Sequence, residues 1–504
     1  MRISIACLYL IIFYSISFSA NCQRTNEYHV EVGGLVASDQ TPFWLRANQY
    51  GIVPLRGSFA RFNAGFQSDY RPADSTGHRR KTDWGYKLDA VANAGVANQF
   101  LLPEAYIKGR VGAFELYVGR RREIVGLVDT LLTTGAYAWS GNALPIPKIQ
   151  LAVPTFTAIP FTKGVLSFMG AFAHGWFENS DRLVTGSYLH QKYLYGRLGK
   201  PTWPFRLYAG FNHQVIWAGK SNFLPDYVAV NGQLPSSIRY YPAVILGSRG
   251  TQPNGVDVTS FEDNRIGNHL GSLDIATDVN VGQLNIFVYR QFLYDDGSLF
   301  YGTNVADGLN GLRIKNRQEP PGTGFFLRQI TFEYLFTGSQ GGDVFVIDDD
   351  KRRGRDEYFN HSQFIDGWTY YKRTIGTPFL TPKDEVNPSL PPGLAISNNR
   401  VSVYHLGISA LLFNKIGITT RLSYSLNAGT YTVVYPTTPR QFSGLLTASV
   451  PLDILGGTTL NGSFAVDSGE LLPNSVGTYI SLRKTGFLGK RSKTPVTTPY
   501  MRFR

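Results

Sequence analysis

Residues Trp84–Val96, which read Trp-Gly-Tyr-Lys-Leu-Asp-Ala-Val-Ala-Asn-Ala-Gly-Val, decide the fold class of this chain. Every even-numbered position in the run is apolar, and the odd-numbered positions between them include Lys87, Asp89 and Asn93. Strict alternation of this kind is typical of a β-strand with one apolar and one polar face. The run is also longer than the roughly 5–6 residues of a typical strand in a soluble protein.

Three other segments repeat the alternation: Ser58–Tyr70, Phe326–Phe336 and Val476–Lys484. Arg328 breaks the pattern in the second of them. Several segments begin or end in Tyr, Phe or Trp, and long strands with aromatic ends match the lipid-facing band and interfacial girdles of a membrane barrel. The pattern therefore predicts an all-β fold, a transmembrane antiparallel outer-membrane β-barrel. A soluble all-β protein is the alternative.

The composition agrees with this class. The chain has 504 residues, including 53 Gly, 27 Pro, 29 Tyr, 33 Phe and 7 Trp, and only 17% of its residues are charged. An ordinary soluble domain has about 25% charged residues. Glycine shows no three-residue period, which excludes collagen, and the aromatic content excludes wholesale disorder.

The N-terminal segment predicts a secretory leader. An apolar run, Ile3–Phe18, follows a positive charge, and small residues then lead to a cleavage site after Cys22. Both cysteines of the chain, Cys7 and Cys22, fall in this segment. We therefore expect residues 1–22 to be removed on export, leaving residues 23–504 as a single cysteine-free barrel domain. A lipoprotein acylated at Cys22 is the alternative.

Connection lengths supply a second prediction, because outer-membrane barrels have short periplasmic turns and longer external loops. Short connections are predicted at Val111–Phe114, Gly199–Pro204, Asn280–Gln283, Phe413–Ile416 and Leu452–Gly457. Long Gly/Pro/Asn-rich connections are predicted at Ser38–Gly57, Gly119–Leu144, Gly219–Gly267, Asp295–Thr323 and Arg373–Asn399.

A strand count that starts near Glu27 places every short connection in the periplasm and every long one outside. The count includes a strand near Lys148–Val153 and a weaker one near Tyr358–Trp368, and it closes at about eighteen strands with both termini in the periplasm. Gly338–Glu357 is the exception, a long connection on the inner side.

Motifs for catalysis and metal binding are absent from the sequence. There is no His-Glu-x-x-His, no Gly-x-Ser-x-Gly and no phosphate-binding glycine loop. Asn360-His361-Ser362 has the residue types of a hydrolase, but neighbours on a strand point to opposite faces. The acidic run Asp348–Asp350 lacks the spacing of a calcium loop. We therefore expect no enzymatic activity, no cofactor and no metal.

The formal charge of +13 does not indicate nucleic acid as a partner. The basic residues are spread through strands and loops, and no basic module gathers them. The cluster Arg120-Arg121-Arg122 lies where a predicted strand reaches the external rim. There it could meet lipid phosphates or an acidic polysaccharide. An arginine that only snorkels at the rim is the alternative.

Residues Thr41–Gly51, Thr-Pro-Phe-Trp-Leu-Arg-Ala-Asn-Gln-Tyr-Gly, resemble a segment of the Wzi family of capsule assembly proteins. Further segments that resemble this family are Leu116–Arg120, Ser140–Pro145, His174–Phe177, Leu189–Lys192 and Phe211–Trp217. The resemblance covers essentially the whole predicted mature chain, and its recognisable segments lie before about residue 220.

The resemblance implies an outer-membrane barrel of eighteen strands that acts as a lectin, helps to anchor capsular polysaccharide and has no catalytic role. The chain departs from the family in two places. Little room remains before Gly57 for the periplasmic helical plug of the enterobacterial type. Residues 486–504 also extend past the last clear strand, so that either Phe503 closes a final strand or the tail trails into the periplasm.

The leading hypothesis for function is therefore a cell-surface barrel that binds capsular polysaccharide. Outer-membrane lipid and lipopolysaccharide are further expected partners, and the capsule export machinery is a candidate. A porin or diffusion channel is the alternative, and an outer-membrane hydrolase is a third hypothesis. Polar residues line the lumen in each case: Arg61, Asn63, Asp69, Lys87, Asp89, Lys108 and Arg110. A barrel of this size holds a water channel unless loops such as Gly219–Gly267 fill it.

Nine residues are candidates for carbohydrate binding: Trp44, Arg46, Asn48, Arg120, Arg121, Trp139, Asn142, His213 and Trp217. An aromatic ring packs against the apolar face of a pyranose, and Asn and Arg bond hydroxyls or carboxylates. A loop anchor at the barrel mouth is the alternative role for Trp44, and an interfacial girdle position is the alternative for Trp217 with His213. We expect Trp139→Ala and the double variant Arg120→Ala/Arg121→Ala to reduce capsule retention without changing barrel folding.

Overall fold

Eighteen antiparallel strands form one closed sheet in the computed structural model. The structure describes residues 24–73, 80–226, 228–248, 265–295, 298–346, 354–454 and 456–488. The barrel strands, numbered β1–β18 in chain order, are Asn26–Ala37, Phe59–Ser68, Thr82–Gly95, Gln99–Val111, Phe114–Arg120, Lys148–Ala158, Leu166–Trp176, Tyr188–Leu198, Phe205–Trp217, Asn268–Val281, Leu284–Asp295, Gly308–Asn316, Phe325–Phe336, Val401–Leu412, Ile416–Asn427, Arg440–Leu452, Thr458–Gly469 and Ser475–Leu488.

Each strand pairs with its neighbours in sequence, and the last strand pairs with the first. The β1–β18 register runs from Asn26 opposite Leu488 to Ala37 opposite Gly477. Full closure leaves no sheet edge to be satisfied by another chain. The predicted fold class and the strand count are therefore confirmed, and the barrel closes without a strand at Phe503, which lies outside the described residues together with the predicted leader and Asp348–Asp350.

The two faces of the sheet separate as the alternation predicts. On β3, Trp84 and Leu88 are exposed on the outside of the barrel, whereas Asp89 and Asn93 are buried inside it. Many other outward side chains are large, apolar and exposed, including Val32, Phe62, Ile107, Val118, Leu194 and Ile275. An apolar exterior around a polar interior is the arrangement of a barrel that faces lipid.

Connection lengths separate the two ends of the barrel. The predicted turns at residues 112–113, 282–283 and 413–415 all lie at one end, which we call the short-turn end, together with both termini of the barrel. Connections 38–58, 121–147, 218–267 and 337–400 begin and end at the other, which we call the loop end. The predicted separation of these short turns and long loops to opposite ends of the barrel is therefore confirmed.

Two elements of the strand prediction were wrong, and their errors cancel in the count. The predicted long loop Asp295–Thr323 contains β12, a short strand that begins Gly-Leu-Asn-Gly and so carries a weak apolar signal. The predicted strand near Tyr358–Trp368 is instead part of a single connection at the loop end, so Gly338–Glu357 is not an inner connection. Its neighbouring aromatic residues, Tyr358 and Phe359, are both buried because this segment enters the lumen.

Arg328 breaks the alternation because β13 is irregular at that point. The register against β14 shifts between Leu327 and Gln329, so one residue of β13 has no partner. An extra residue of this kind is a β-bulge, which re-aims the side chain. Arg328 is the residue left over.

Helical structure is sparse in the described residues. The α-helices are α1, Phe43–Arg46, and α2, Tyr241–Leu246, and 3₁₀ turns occur at Pro160–Thr162, Ile238–Tyr240 and Ser298–Tyr301. Short two-stranded ribbons join Val184–Thr185 to Lys220–Ser221, Thr369–Tyr370 to Arg373–Thr374, and Thr381–Pro382 to Ile396–Asn398. Within the ranges given above, no helix is long and apolar enough to cross a membrane.

Candidate functional site

Three connections from the loop end fold back into the barrel and occupy much of its lumen. They are residues 38–58, 121–147 and 354–400, and we call them together the plug. Their apolar side chains join inward residues of the wall in one buried cluster, which includes Trp44, Leu127, Tyr137, Phe359 and Trp368. The loop Gly219–Gly267 was predicted to fill the lumen. It adds Val228 and Leu234 to this cluster but places α2 on the outer wall.

Helix α1 anchors the first part of the plug to the wall. It begins after Pro42, and all four of its residues are buried. The Phe43 backbone N–H donates to Asp467 Oδ2 of β17 at 2.7 Å, and Trp44 Nε1 donates to Ser423 Oγ of β15 at 3.1 Å. The Trp44 ring also lies 5.1 Å from the His405 ring of β14. Trp44 has no exposed face for a sugar, and its contacts are those of a loop anchor.

Arg46 belongs to a buried charge triad inside the plug. Its guanidinium donates to Glu385 and to the Thr41 carbonyl, and Arg373 Nη1 donates to the other Glu385 oxygen at 2.9 Å. Burial by itself raises the pKa of Glu385, but the two guanidinium groups outweigh it and hold that pKa below its ordinary value. The hydrogen bonds of Arg46 therefore link the first plug connection to the third.

Two asparagines join all three plug connections. The Asn48 N–H donates to Asn142 Oδ1 at 3.1 Å, and Asn48 Nδ2 donates to the Thr134 carbonyl at 3.1 Å. Asn142 Nδ2 in turn donates to the Thr374 carbonyl at 2.9 Å. Asn48 adopts φ 55°, a left-handed conformation that Asn tolerates better than most residues. Both predicted binding residues thus serve as internal cross-links.

Inward carboxylates of the wall hold the second plug connection by its backbone. The Leu127 N–H donates to Asp274 Oδ2 at 2.8 Å, and the Thr134 N–H donates to Glu333 Oε2 at 2.5 Å. The lumen is therefore polar for a structural reason, because loop backbone inside a barrel needs partners.

Trp139 lies against a buried ion pair at the wall. Lys148 Nζ is 2.6 Å from Glu123 Oε2 and 4.7 Å from the centroid of the Trp139 ring. Burial raises the pKa of Glu123, but Lys148 and Arg121 outweigh it and hold that pKa below its ordinary value. Trp139 also packs 6.4 Å from the Trp368 ring. Like Trp44, it is buried.

The two neighbouring arginines point to different places. Arg121 Nη1 donates to Glu115 Oε1 at 2.5 Å, and its guanidinium lies 5.5 Å and 5.3 Å from the Tyr106 and Tyr117 rings. Arg121 is therefore part of the lumen. Arg120 is half-buried at the rim of the plug, where its Nη2 donates to the Tyr370 hydroxyl at 3.1 Å.

Tyr370 is part of the hairpin formed by Thr369–Tyr370 and Arg373–Thr374. This hairpin presents an aromatic ring and a cation at the loop end. Its two turn residues, Tyr371 and Lys372, have φ of 48° and 59°. These are positions that normally select Gly, Asn or Asp. Tyr371 is 46% exposed, and Lys372 Nζ lies 3.6 Å from Asp181 at the surface. Neither residue was predicted from the sequence, since nothing in their pattern signals a left-handed turn.

His213 and Trp217 lie away from the plug, on the outer wall of the barrel. His213 Nε2 is 3.0 Å from His269 Nδ1, and the Trp217 ring packs 5.3 Å from Tyr188 and 5.4 Å from Tyr241. Both are buried under the α2 segment. Seven of the nine predicted residues therefore meet in or at the edge of the plug, and these two form a separate cluster.

A cavity of about 590 Å³ remains in the lumen between the plug and the short-turn end. Its lining includes Asp129 and Leu131 of the plug, Arg313 and Gln329 of the wall, and Pro320 of a short-turn connection. In the described part of the chain, no group of three or more His, Cys, Asp or Glu side chains could hold a metal ion.

The closed sheet, the apolar exterior and the filled lumen define an outer-membrane β-barrel with an internal plug made of its own loops. Residues 13–381 match the family described as Capsule assembly protein Wzi. The chain belongs to the Wzi family of capsule assembly proteins, as its resemblance implied.

A comparison with solved structures finds similar chains, and the fold of the first of them is shared. Wzi of Escherichia coli, described as a carbohydrate-binding β-barrel involved in group 1 capsule assembly, has a TM-score of 0.57 and 13% identity, over 90% of this chain and 83% of that chain. OccK5 of Pseudomonas aeruginosa has a TM-score of 0.47 and 10% identity, over 93% and 99%. OccAB2 of Acinetobacter baumannii has a TM-score of 0.45 and 9% identity, over 93% and 98%. A comparison with curated proteins finds no match.

Proposed function

We propose that this barrel binds capsular polysaccharide at its loop end and helps to attach the capsule to the cell surface. The plug is the observation that carries this proposal. A barrel of eighteen strands is wide enough for a channel, but here three connections occupy the lumen and are bonded to the wall. The surface that remains for a polymer is the loop-end face. Membership in a family of capsule assembly proteins suggests capsular polysaccharide as the polymer that this face binds.

We propose the hairpin at Tyr371 and Lys372, with Arg120 beside it, as a contact for the polymer. An exposed tyrosine ring can pack on a pyranose face, and the two cations can bond carboxylates or hydroxyls. The strain of two left-handed non-glycine residues is a cost of order 1–3 kcal/mol each, which is typical of functional positions. Trp44, Arg46, Asn48, Arg121, Trp139 and Asn142 would support this face from below by holding the plug.

The same proposal includes how the chain reaches its site. Residues 1–22 would be a leader removed on export, and residues 23–504 one barrel domain. The predicted tail at residues 486–504 begins too early, because β18 continues to Leu488; we propose that residues 489–504 trail into the periplasm. The capsule export machinery would deliver the polymer, and lipopolysaccharide would surround the wall.

We also propose that the protein does not act as an enzyme. His361 of the hydrolase-like triplet uses Nδ1 to accept the Gln363 and Phe364 backbone N–H groups at 3.1 and 3.3 Å. A ring nitrogen used in this way stabilises a turn and is not free to act as a general base.

Binding of purified barrel to the organism's own capsule tests the proposal directly. We expect retention of the barrel on immobilised capsule, and cells without the protein should still make polymer but release it into the medium. Loss of polymer synthesis in those cells, or no binding by the folded barrel, would contradict the attachment role.

A further inference from the structure

The outer wall carries a polar patch near the loop end. On β7–β10, the outward positions towards that end include five polar residues, His174, His190, Lys192, His213 and His269, which we call the histidine patch; the outward rings of Trp176, Tyr188 and Trp217 lie beyond it at the strand ends. Farther along the same faces, Leu194 and Ile275 are exposed apolar residues. The outward surface of these strands thus passes from apolar residues to a polar patch before it reaches the loop end.

The histidine patch lies within the part of the wall that the apolar layer of the membrane covers. An apolar band of about 25 Å, crossed by strands tilted about 40°, takes up about ten residues of each strand. Counted from the short-turn ends at Phe205 and Leu198, such a band extends to His213 on β9 and to His190 on β8. A lysine facing lipid costs about 2–4 kcal/mol at midplane and less towards the interface. A bare patch would therefore be unfavourable.

Residues 238–248, which we call the cover segment, lie on this patch. The Tyr241 hydroxyl is 3.2 Å from His190 Nδ1, and Lys192 Nζ donates to the Ile245 carbonyl near the end of α2. Val244 is fully buried, and the Tyr241 ring packs 5.9 Å from His174. The cover segment therefore supplies hydrogen bonds and apolar contacts to outward polar groups that lipid could not satisfy.

The other face of the cover segment is apolar, and no other described part of the chain covers it. Ile238 is 79% exposed and Leu246 is 74% exposed, and Arg239 between them is exposed as well. We propose that the cover segment lies in the outer-leaflet interface, with Ile238 and Leu246 among the acyl chains and Arg239 at the level of the lipid phosphates.

Lipid is the occupant that the position favours. The cover segment is attached to the outside of the wall, and the exposed Leu194 and Leu273 below it continue the same apolar surface towards the short-turn end. A short segment with one apolar face and a cation at its edge is the pattern of an interfacial anchor. The segment would thus extend the lipid contact of the barrel across the histidine patch.

Spin labels can test this placement because the native cysteines, Cys7 and Cys22, lie in the predicted leader. Ile238→Cys and Leu246→Cys would each carry one nitroxide in barrels reconstituted into vesicles of phosphatidylethanolamine, phosphatidylglycerol and lipopolysaccharide. Leu273→Cys on the wall and Val434→Cys at the loop end are matched exposed controls. Heat-modifiable migration on gels checks that each variant is folded.

We expect the labels on the cover segment to collide with oxygen and to be protected from a water-soluble nickel chelate, as the Leu273→Cys label is. Their ratio of oxygen to nickel accessibility should be severalfold higher than that of Val434→Cys. A ratio equal to that of Val434→Cys would overturn the proposal in favour of a water-exposed segment. Protection from both reagents would overturn it in favour of a protein contact. Neither result bears on polysaccharide binding.

Discussion

The Arg46 guanidinium donates to the Glu385 carboxylate across 339 residues of sequence, from the connection after β1 to the connection after β13. Arg373 completes the group from the other side of the carboxylate. A buried carboxylate between two guanidinium groups is stable only while all partners are present, because removing one leaves an uncompensated charge. The triad therefore makes the first and third plug connections depend on each other.

Glu385→Gln should destabilise the protein by about 3–5 kcal/mol, because two buried guanidinium groups lose their counter-charge. Urea unfolding in detergent micelles, followed by tryptophan fluorescence, measures the change. Asp384→Asn is the matched control, since that neighbouring carboxylate is exposed. Equal stability of the two variants would contradict the triad.

Acid should weaken the same group. The pKa of Glu385 is lowered in the folded protein, so its contribution to stability is fully present above the ordinary value of 4.5. That contribution is lost as pH falls below 4.5 and through the folded pKa. The free energy of unfolding should therefore fall more steeply in wild type than in Glu385→Gln over this range. If the free energy of unfolding changed with pH in the same way in the two proteins, the lowered pKa of Glu385 would be contradicted.

Lys148 and Glu123 should behave as a coupled pair. Lys148→Met alone should cost about 3–5 kcal/mol, because Glu123 stays buried without its cation. Adding Glu123→Gln should recover part of that loss, and a double-mutant cycle measures the coupling. A double variant as unstable as the sum of the two single variants would mean that the 2.6 Å contact contributes nothing.

The plug should decide whether the barrel conducts ions. Gly119 and Lys148 are paired neighbours, so a short Gly/Ser linker can replace residues 125–143 without straining the strands. In planar bilayers, we expect stable large conductance steps from this deletion and none from wild type. Large stable steps from wild type would favour the diffusion channel instead.

Capsule retention should depend on the rim hairpin. Arg120→Ala and Tyr371→Ala should lower the cell-bound fraction of capsule at unchanged surface levels, while Val434→Ala, an exposed change on the same face, should not. Trp139→Ala is a less direct test, since truncating a buried tryptophan costs about 3–5 kcal/mol and would disturb the plug as well. Normal retention in both rim variants would remove Arg120 and Tyr371 from the binding surface.

The wall of the barrel was predictable from sequence, and the plug was not. Alternation at Trp84–Val96 reflects a local property, the pleat, which sends successive side chains to opposite faces. Trp44 and Trp139 carry no local signal of burial, because their partners Ser423 and Trp368 are hundreds of residues away. Tyr358–Trp368 was predicted to be a strand for the same reason. Its aromatic residues have the local pattern of a strand, but contacts with distant residues bury them in the core of the plug. The turn position of Tyr371 could not be predicted either, because the hairpin and not the residue type imposes its positive φ.

A plug built from loops differs mechanically from a plug built from a terminal domain. Each of its three connections leaves the wall on one strand and returns on the next strand in sequence, so neither end is free. A polymer pulling outward at Tyr371 would load both β13 and β14, and their ladder bonds would share the force in shear along the strands. No part of the plug can be drawn out from one end. The protein therefore resists tension by the continuity of its chain, and a cell surface that tethers a heavy polymer needs that property.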